Sequence, residues 1–298
     1  MPSVVINKLV IIGVGLIGGS FALALRKAGL VKHIVGVGRS RENMQRARKV
    51  GTIDEISDDL PSALKAADIV FLAIPVGQTG GIMAQISPYL EPDTIVTDAG
   101  STKQNVVAAA RTYLAGHLKH FVPGHPVAGA EQSGASAAYA DLFRGKNLVL
   151  TPLEETSAEA VKRVSELWQA CGARVSQMSA ARHDKTFAAM SHLPHVLAFA
   201  LMNHIRSSAG EASDDLLRFA GSGFRDFTRI AGSSPEMWRD ICLANREALS
   251  TQIDAYQNEL TALSEMLARG EGEALENLFA DARKARQRWL KTKASNGV

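Results

Sequence analysis

The tightest constraint on this chain is a short apolar run, Lys8 to Ile12, followed at once by Gly13-Val14-Gly15-Leu16-Ile17-Gly18-Gly19 and then by Phe21 to Ala28, which has helix composition. Strand, G-x-G-x-x-G and helix in that order form the context of a dinucleotide fingerprint. Gly13 permits the tight turn, Gly15 lets the backbone approach a pyrophosphate, and Gly18 allows close helix–strand packing. The helix N-terminus supplies free N–H groups and partial positive charge to phosphate, with Leu16 and Ile17 of the glycine turn beside the cofactor. The glycine pattern alone is a weak signal; its position between strand and helix is what strengthens it.

A second strand is expected at His33 to Val37, ending in Gly38-Arg39-Ser40-Arg41. An NAD site calls for an acidic residue here to bind the ribose 2′-hydroxyl. Gly38 lacks that carboxylate, and Arg39 and Arg41 flank Ser40, so a 2′-phosphate meets no repulsion and a guanidinium can grip it. The pattern favours NADP over NAD; the competing reading is a pair of solvent-facing arginines at a helix start. Helix over Glu42 to Val50, strand over Ala67 to Ile74 with Pro75 ending it, and helix over Thr79 to Leu90 continue the alternation. Such alternation implies a mostly parallel sheet with both faces covered, and the loop at Ile74 and Pro75 would run beside the cofactor.

Two further runs, V-T-D-A-G-S-T-K-Q-N from Val96 and F-V-P-G-H-P-V-A-G-A-E-Q-S ending at Ser133, each pass from an apolar strand into small and polar residues. Lys103 to Leu118 between them is long enough for a crossover helix, so neighbouring strand ends would bring Asp98, Ser101, Lys103 and His125 together. Ser101 and Thr102 read as the cap of that helix or, for Ser101, as a substrate contact. A lysine in a helix's first turn opposes the helix dipole, and Asp98 or a bound anion would offset it. His125, in a loop after an apolar strand, suits a proton acceptor near neutrality; a merely hydrogen-bonded loop histidine is the competing reading. No histidine and carboxylate spacing matches a metal site, so metal-free chemistry is expected.

Strand signals recur at Leu148 to Thr151 and Ala173 to Gln177, with helix between them from Ala158 to Cys171, and vanish after Met178. The expected division is therefore 1–178 for nucleotide binding and 179–298 for an all-helical region. In the latter, Phe187, Met190, Leu193, Leu197 and Leu201 recur at helical spacing, with Pro194 bending or breaking the helix. His192 and His195 lie nearly on one side of it, either as satisfied core groups or as substrate contacts. His183 and His204 fit no motif. Arg225 and Arg229 sit among Phe224, Phe227 and Ile230 and require anions, and Trp238 reads as packing. Ile241, Leu249, Ile253, Leu260, Leu263, Leu275 and Phe279 exceed what a thin helical layer can bury, which points to a second copy.

The combination G-V-G-L-I-G-G-S, D-A-G-S-T-K, G-H-P-V-A-G-A-E-Q-S-G, S-H-L-P-H and G-F-R-D-F-T-R-I-A resembles the prephenate/arogenate dehydrogenase family over nearly the whole chain. The resemblance implies a Rossmann-type, mostly parallel α/β domain followed by an all-helical dimerisation domain. It implies His125 as the catalytic residue and Ser101 beside the substrate hydroxyl and nicotinamide. Ser191, His192 and His195 would line the substrate pocket, Arg229 would hold a substrate carboxylate, and Glu131 would lie near the entrance. Gly38 departs from NAD-using relatives, which carry an aspartate there, and leans the expectation toward NADP and arogenate, with prephenate the other substrate. A β-hydroxyacid dehydrogenase relying on Lys185, or an idle NADP-binding regulatory protein, are the rival readings.

Composition excludes other classes. The 298 residues carry a net charge of only +3 with no internal basic block, which argues against nucleic acid. No apolar run reaches the roughly 18–20 residues of a membrane helix. Two scattered cysteines, Cys171 and Cys242, suit reduced thiols and a cytoplasmic location.

Overall fold

The computed structural model describes residues 5–129, 132, 134–209 and 213–295. Six parallel strands form the main sheet: β1 (Ile6–Ile12), β2 (Val31–Val37), β3 (Glu55–Ile56), β4 (Ile69–Leu72), β5 (Ile95–Asp98) and β6 (Phe121–Val122), in the order β3-β2-β1-β4-β5-β6. The order reverses between β1 and β4, which opens a crevice at their carboxyl ends. The crossovers are helices α1 (Leu16–Lys27), α2 (Arg41–Lys49), α3 (Leu60–Leu64), α4 (Thr79–Ile86) and α5 (Gln104–Tyr113).

Side chains on a strand alternate between faces, and here both faces are dry. Leu9 and Ile11 of β1, with Ile69 and Phe71 of β4, enter a core shared with Phe21, Phe143 and Trp168. Val10, Ile12, Val70 and Leu72 enter the opposite core, with Met83, Ile86, Val106 and Phe121. Trp168 is fully buried, its ring 4.4 Å from Phe21 and 4.9 Å from Phe143, edge-on to the latter. It projects from α6 (Ala158–Ala170), whose first turn is capped by the Ser157 hydroxyl accepting from the Ala160 N–H.

At Pro123 the chain leaves the main sheet. β7 (Gly124–Pro126) pairs antiparallel with β8 (Asn147–Leu150), which pairs parallel with β9 (Arg174–Gln177). His125 therefore stands on a short strand opposite Val149, not in a loop as the flanking glycine and proline suggest. Helix α1 starts at Leu16, earlier than Phe21, because the glycine turn leads straight into it. The crossover helix expected to reach Leu118 ends at Tyr113 and tightens into a 3₁₀ stretch, Ala115–His120.

After β9 come α7 (Ala180–Phe187), a π-helical turn Ala188–His192, α8 (Leu193–Ala209), α9 (Ser213–Leu217), α10 (Ser222–Thr228), α11 (Pro235–Ala244), α12 (Arg246–Arg269) and α13 (Gly272–Ser295). Pro194 neither breaks nor ends this run. Its missing N–H falls where the wider π turn hands over to α8, the kind of local rearrangement that absorbs a proline. Strands stop after β9, but packing divides the chain elsewhere, into Met1–Arg246 and Glu247–Val298. The difference from 178 arises because Trp238 and Ile241 of α11 pack on Val76 beyond β4, while Asp184 of α7 bonds the start of α5. Cys171 and Cys242 are both free thiols, and no helix of the described residues is long and apolar enough to cross a membrane.

Asp98, the last residue of β5, ties that strand to Gly124 at the start of β7. One carboxylate oxygen accepts the Gly124 N–H at 3.0 Å; the other accepts the Gly100 N–H at 2.7 Å and faces the Lys103 Nζ at 2.5 Å. Lys103 is 0% exposed and also donates to the Gly124 carbonyl at 2.8 Å. Burial pushes the lysine pKa down, and the Asp98 charge opposes that shift. Removing one member of a buried pair strands the other in low dielectric. Asp98→Asn should thus lower stability to urea by about 3–5 kcal/mol, and adding Lys103→Met should recover part of the loss.

Candidate active site

The glycine turn after β1 is built as its spacing requires. Gly13 has φ +97°, and a Cβ there would lie 2.4 Å from the Ala73 carbonyl oxygen. A Cβ on Gly18 would meet the Gly13 oxygen at 2.4 Å, so α1 approaches the turn as closely as the backbone allows. A Cβ on Gly15 would meet nothing within 4 Å. Helix α1 begins at Leu16 and Ile17 with no side-chain cap, so its first N–H groups stay available beside that open space. These features fit a dinucleotide diphosphate. Ile74 packs against the turn, its Cγ2 2.9 Å from the Gly13 Cβ position, and Pro75 leads into a 3₁₀ turn, Val76–Gln78.

At the end of β2, Arg39, Ser40 and Arg41 are exposed after Gly38. Ser40 caps α2, its hydroxyl accepting from the Asn43 N–H at 3.2 Å. Arg41 lines an open cavity of about 600 Å³ with Gln45, Arg48, Lys49, Ile56 and Asp58.

His125, on β7 beside the carboxyl end of β5, is 8% exposed. Its Nδ1 meets the His183 Nε2 at 2.8 Å, and the His183 Nδ1 meets the Asp184 Oδ1 at 2.8 Å. Phe187 packs on both imidazoles, with ring centroids 4.6 Å from His125 and 4.4 Å from His183. Burial, and then the neighbouring His183, Lys103 and His192, hold His125 well below the usual histidine pKa, so its imidazole is neutral. Burial works against charge on Asp184, but hydrogen bonds from His183, Gln104 and Lys103 outweigh it and keep the carboxyl ionised. Those last two bonds are backbone N–H groups at 2.8 and 2.7 Å, so Asp184 caps α5. Ser101 and Thr102, expected to cap that helix, do not. Lys103 occupies the cap position without a capping side chain, and Ser101 is left half-buried with its hydroxyl outside that role.

A second arm approaches through Asn245. Its Nδ2 donates to the Asp184 carbonyl at 2.8 Å and to the His192 Nδ1 at 3.1 Å. The carbonyl can only accept, which fixes the amide orientation; His192 then carries its proton on Nε2, buried beside the Ser101 main chain without a well-formed hydrogen bond to it. Burial pushes His192 down to about 4, against the opposing pull of Asp184 and the Ser101 main chain. His195 donates from Nδ1 to the Ser191 carbonyl at 2.9 Å and stacks on Trp238, centroids 3.8 Å apart. Burial lowers the His195 pKa, Ser191 opposes the shift, and the Arg229 charge adds to it, which sets Arg229 near this imidazole. Arg229 itself is exposed, opening a 3₁₀ turn Arg229–Gly232.

His125, Ser101, His192, His195, Ser191 and Arg229 thus belong to one connected neighbourhood. Glu131 lies outside the described residues. The sequence reading leaves His183 without a role and does not single out Asp184 or Asn245, because no motif spacing marks them; adjacent His183 and Asp184 on one helix give no hint of a partner 58 residues away. Among the described residues no group of three or more His, Cys, Asp or Glu could hold a metal.

Comparison with known proteins agrees with this architecture. Residues 21–177 match the family model described as prephenate dehydrogenase, nucleotide-binding domain, and residues 179–281 match prephenate dehydrogenase, dimerization domain. The cyclohexadienyl dehydrogenase of Zymomonas mobilis is 35% identical over 282 residues, covering 95% of this chain and 96% of its own. The prephenate dehydrogenase of Bacillus subtilis is 38% identical over 274 residues, 92% of this chain and 72% of its own. Among solved structures, Aquifex aeolicus prephenate dehydrogenase in complex with hydroxyphenyl propionate and NAD+ superposes with TM-score 0.90 at 36% identity, covering 96% of this chain and 99% of that one. Synechocystis arogenate dehydrogenase superposes with TM-score 0.79 at 30% identity, covering 95% and 99%. With both of its regions matched and a dehydrogenase nucleotide-binding fold beneath them, this chain belongs to the prephenate dehydrogenase family.

Proposed function

We propose that this chain is an NADP-dependent dehydrogenase of arogenate and prephenate, with arogenate mildly preferred, working as a homodimer. The observation that carries the reading is a neutral, buried His125 at the carboxyl edge of a dinucleotide-type sheet, with Ser101, His192, His195 and Arg229 in its neighbourhood. A base for a hydroxyl proton must be unprotonated and shielded, and this imidazole is both.

The substrates are cyclohexadienols with a hydroxyl at C4 and a carboxylate at C1. NADP, when bound, supplies the hydride acceptor for C4. His125 takes the hydroxyl proton, Ser101 orients that hydroxyl, and Arg229 holds a carboxylate by charge-assisted hydrogen bonds. His192 offers its Nε2–H to a substrate oxygen, and His195, its Nδ1 engaged by Ser191, offers Nε2 as an acceptor. The developing C4 carbonyl is conjugated to C1, so loss of CO2 leaves its electron pair in the ring and yields a phenol. Phe187, packed on the imidazole, and the buried network keep water from the base.

Gly13, Gly15, Leu16, Ile17, Gly18, Ile74 and Pro75 would border the cofactor. The NADP preference rests on Gly38, which lacks a carboxylate, and on exposed Arg39, Ser40 and Arg41 beside it; Arg48 and Lys49 add positive charge around the same cavity. The Aquifex relative holds NAD+, and NAD is the alternative here. Residues 179–298 would form the substrate and dimerisation region, in line with the dimerization family model and with exposed Leu260, Leu267 and Phe279 on α12 and α13. A β-hydroxyacid dehydrogenase is disfavoured because its candidate lysine, Lys185, is exposed.

Steady-state assays of arogenate and prephenate, each with NADP and NAD, test the reading: arogenate with NADP should give the highest kcat/KM. NAD preference would overturn the cofactor assignment, and inactivity in all four would overturn the function. Arg39→Gln should raise KM for NADP about tenfold, a loss of roughly 1.4 kcal/mol, while leaving NAD kinetics unchanged. Arg229→Leu should raise KM for substrate far more than it lowers kcat. Because the folded His125 pKa lies well below 6.5 and the base works unprotonated, kcat/KM should stay flat down to that pH and fall only at lower values. His125→Asn should lower kcat by roughly 10²–10⁴-fold and remove that acid limb.

A further inference from the structure

We propose that His183 and Asp184 are positioning residues that fix the tautomer of His125, so that its Nε2 presents a lone pair to the hydroxyl being oxidised. The inference rests on the reading of His125 as proton acceptor and assigns a role to two residues outside the motifs that identify the site.

The direction of the relay follows from its far end. The Asp184 carboxylate can only accept, so the His183 Nδ1, 2.8 Å from Oδ1, must donate. A bare Nδ1 there would set two acceptors against each other within a fully buried pair. With its proton on Nδ1, neutral His183 has only a lone pair at Nε2, and the His125 Nδ1 at 2.8 Å must donate to it. Neutral His125 then has no proton at Nε2. A doubly protonated His183 would reverse the last link; burial, with Lys103 nearby, disfavours it.

Asp184 is itself fixed. Its two oxygens accept the first free N–H groups of α5, from Lys103 and Gln104, at 2.7 and 2.8 Å. Asn245 holds its main-chain carbonyl at 2.8 Å. A carboxylate at a helix N-terminus is stabilised as the anion, so it orients His183 without taking its proton. When the substrate O–H bond breaks, the proton forms a new N–H bond at the His125 Nε2. The oxygen electron pair becomes the second C=O bond as C4 gives up hydride to the oxidised nicotinamide. The imidazolium formed keeps its Nδ1–H on His183, whose own Nδ1–H points at the Asp184 anion, and that aligned chain offsets the buried positive charge.

The test uses the intact protein and two readouts. Histidine-selective 15N NMR of the substrate-free enzyme should find His125 protonated at Nδ1 and bare at Nε2. His183→Leu removes the acceptor and should mix the two His125 tautomers and cut kcat on the order of 100-fold, with KM within about twofold. His183→Gln places an amide oxygen where Nε2 stood and should restore the tautomer and most of kcat, which guards against loss of folding in the leucine variant. Wild-type His125 protonated at Nε2, full kcat in His183→Leu, or no rescue by a folded His183→Gln would each overturn the proposal. The expected tautomer without turnover of either cyclohexadienol would leave the relay standing and overturn the functional reading instead.

Discussion

Buried charge is tolerated only when it is matched, and at the carboxyl edge of this sheet two carboxylates do the matching for everything nearby. Asp98 joins the carboxyl end of β5 to the start of β7 and neutralises the fully buried Lys103. Asp184 reaches from α7 to the first turn of α5 and to His183. Both meet at Lys103, one through its ammonium and the other through its N–H. Remove either, and the strand carrying His125 and the helix following Ser101 lose their common anchor.

The same arrangement explains how an acid–base site can be dry. Imidazoles buried in an apolar setting resist protonation, and Lys103 adds to that resistance. The negative charge of Asp184, two hydrogen bonds from His125, is near enough to orient it and far enough not to hold it charged. His192 is kept neutral by burial too, with Asn245 fixing which nitrogen carries its proton. The site is thus preorganised by neutral, directional groups, which do not need to reorganise as charge develops.

Local rules were broken where the site needed them broken. A serine and threonine pair before α5 has the composition of a cap, yet a distant aspartate caps the helix and leaves Ser101 free of that role. A proline in a helical pattern reads as a kink; a π turn absorbs it and sets His192 and His195 at two different distances from Trp238, 6.0 and 3.8 Å. Both departures lie in the neighbourhood that surrounds His125.

What the sequence determined by itself was the local chemistry with a fixed spacing: the glycine turn, the alternation of strand and helix, the missing carboxylate at Gly38, and the blocks carrying Ser101, His125, His192, His195 and Arg229. These are legible because each depends on neighbours a few residues away. Only the tertiary structure decided that His125 sits on a strand of a second sheet, that α11 packs against the turn after β4, and that His183, Asp184 and Asn245 complete the network. Those partners lie 58 or more residues apart, from His125 to His183 and from Asp184 to Asn245. No periodicity records such pairings, because what selects them is the cost of leaving a buried polar group alone.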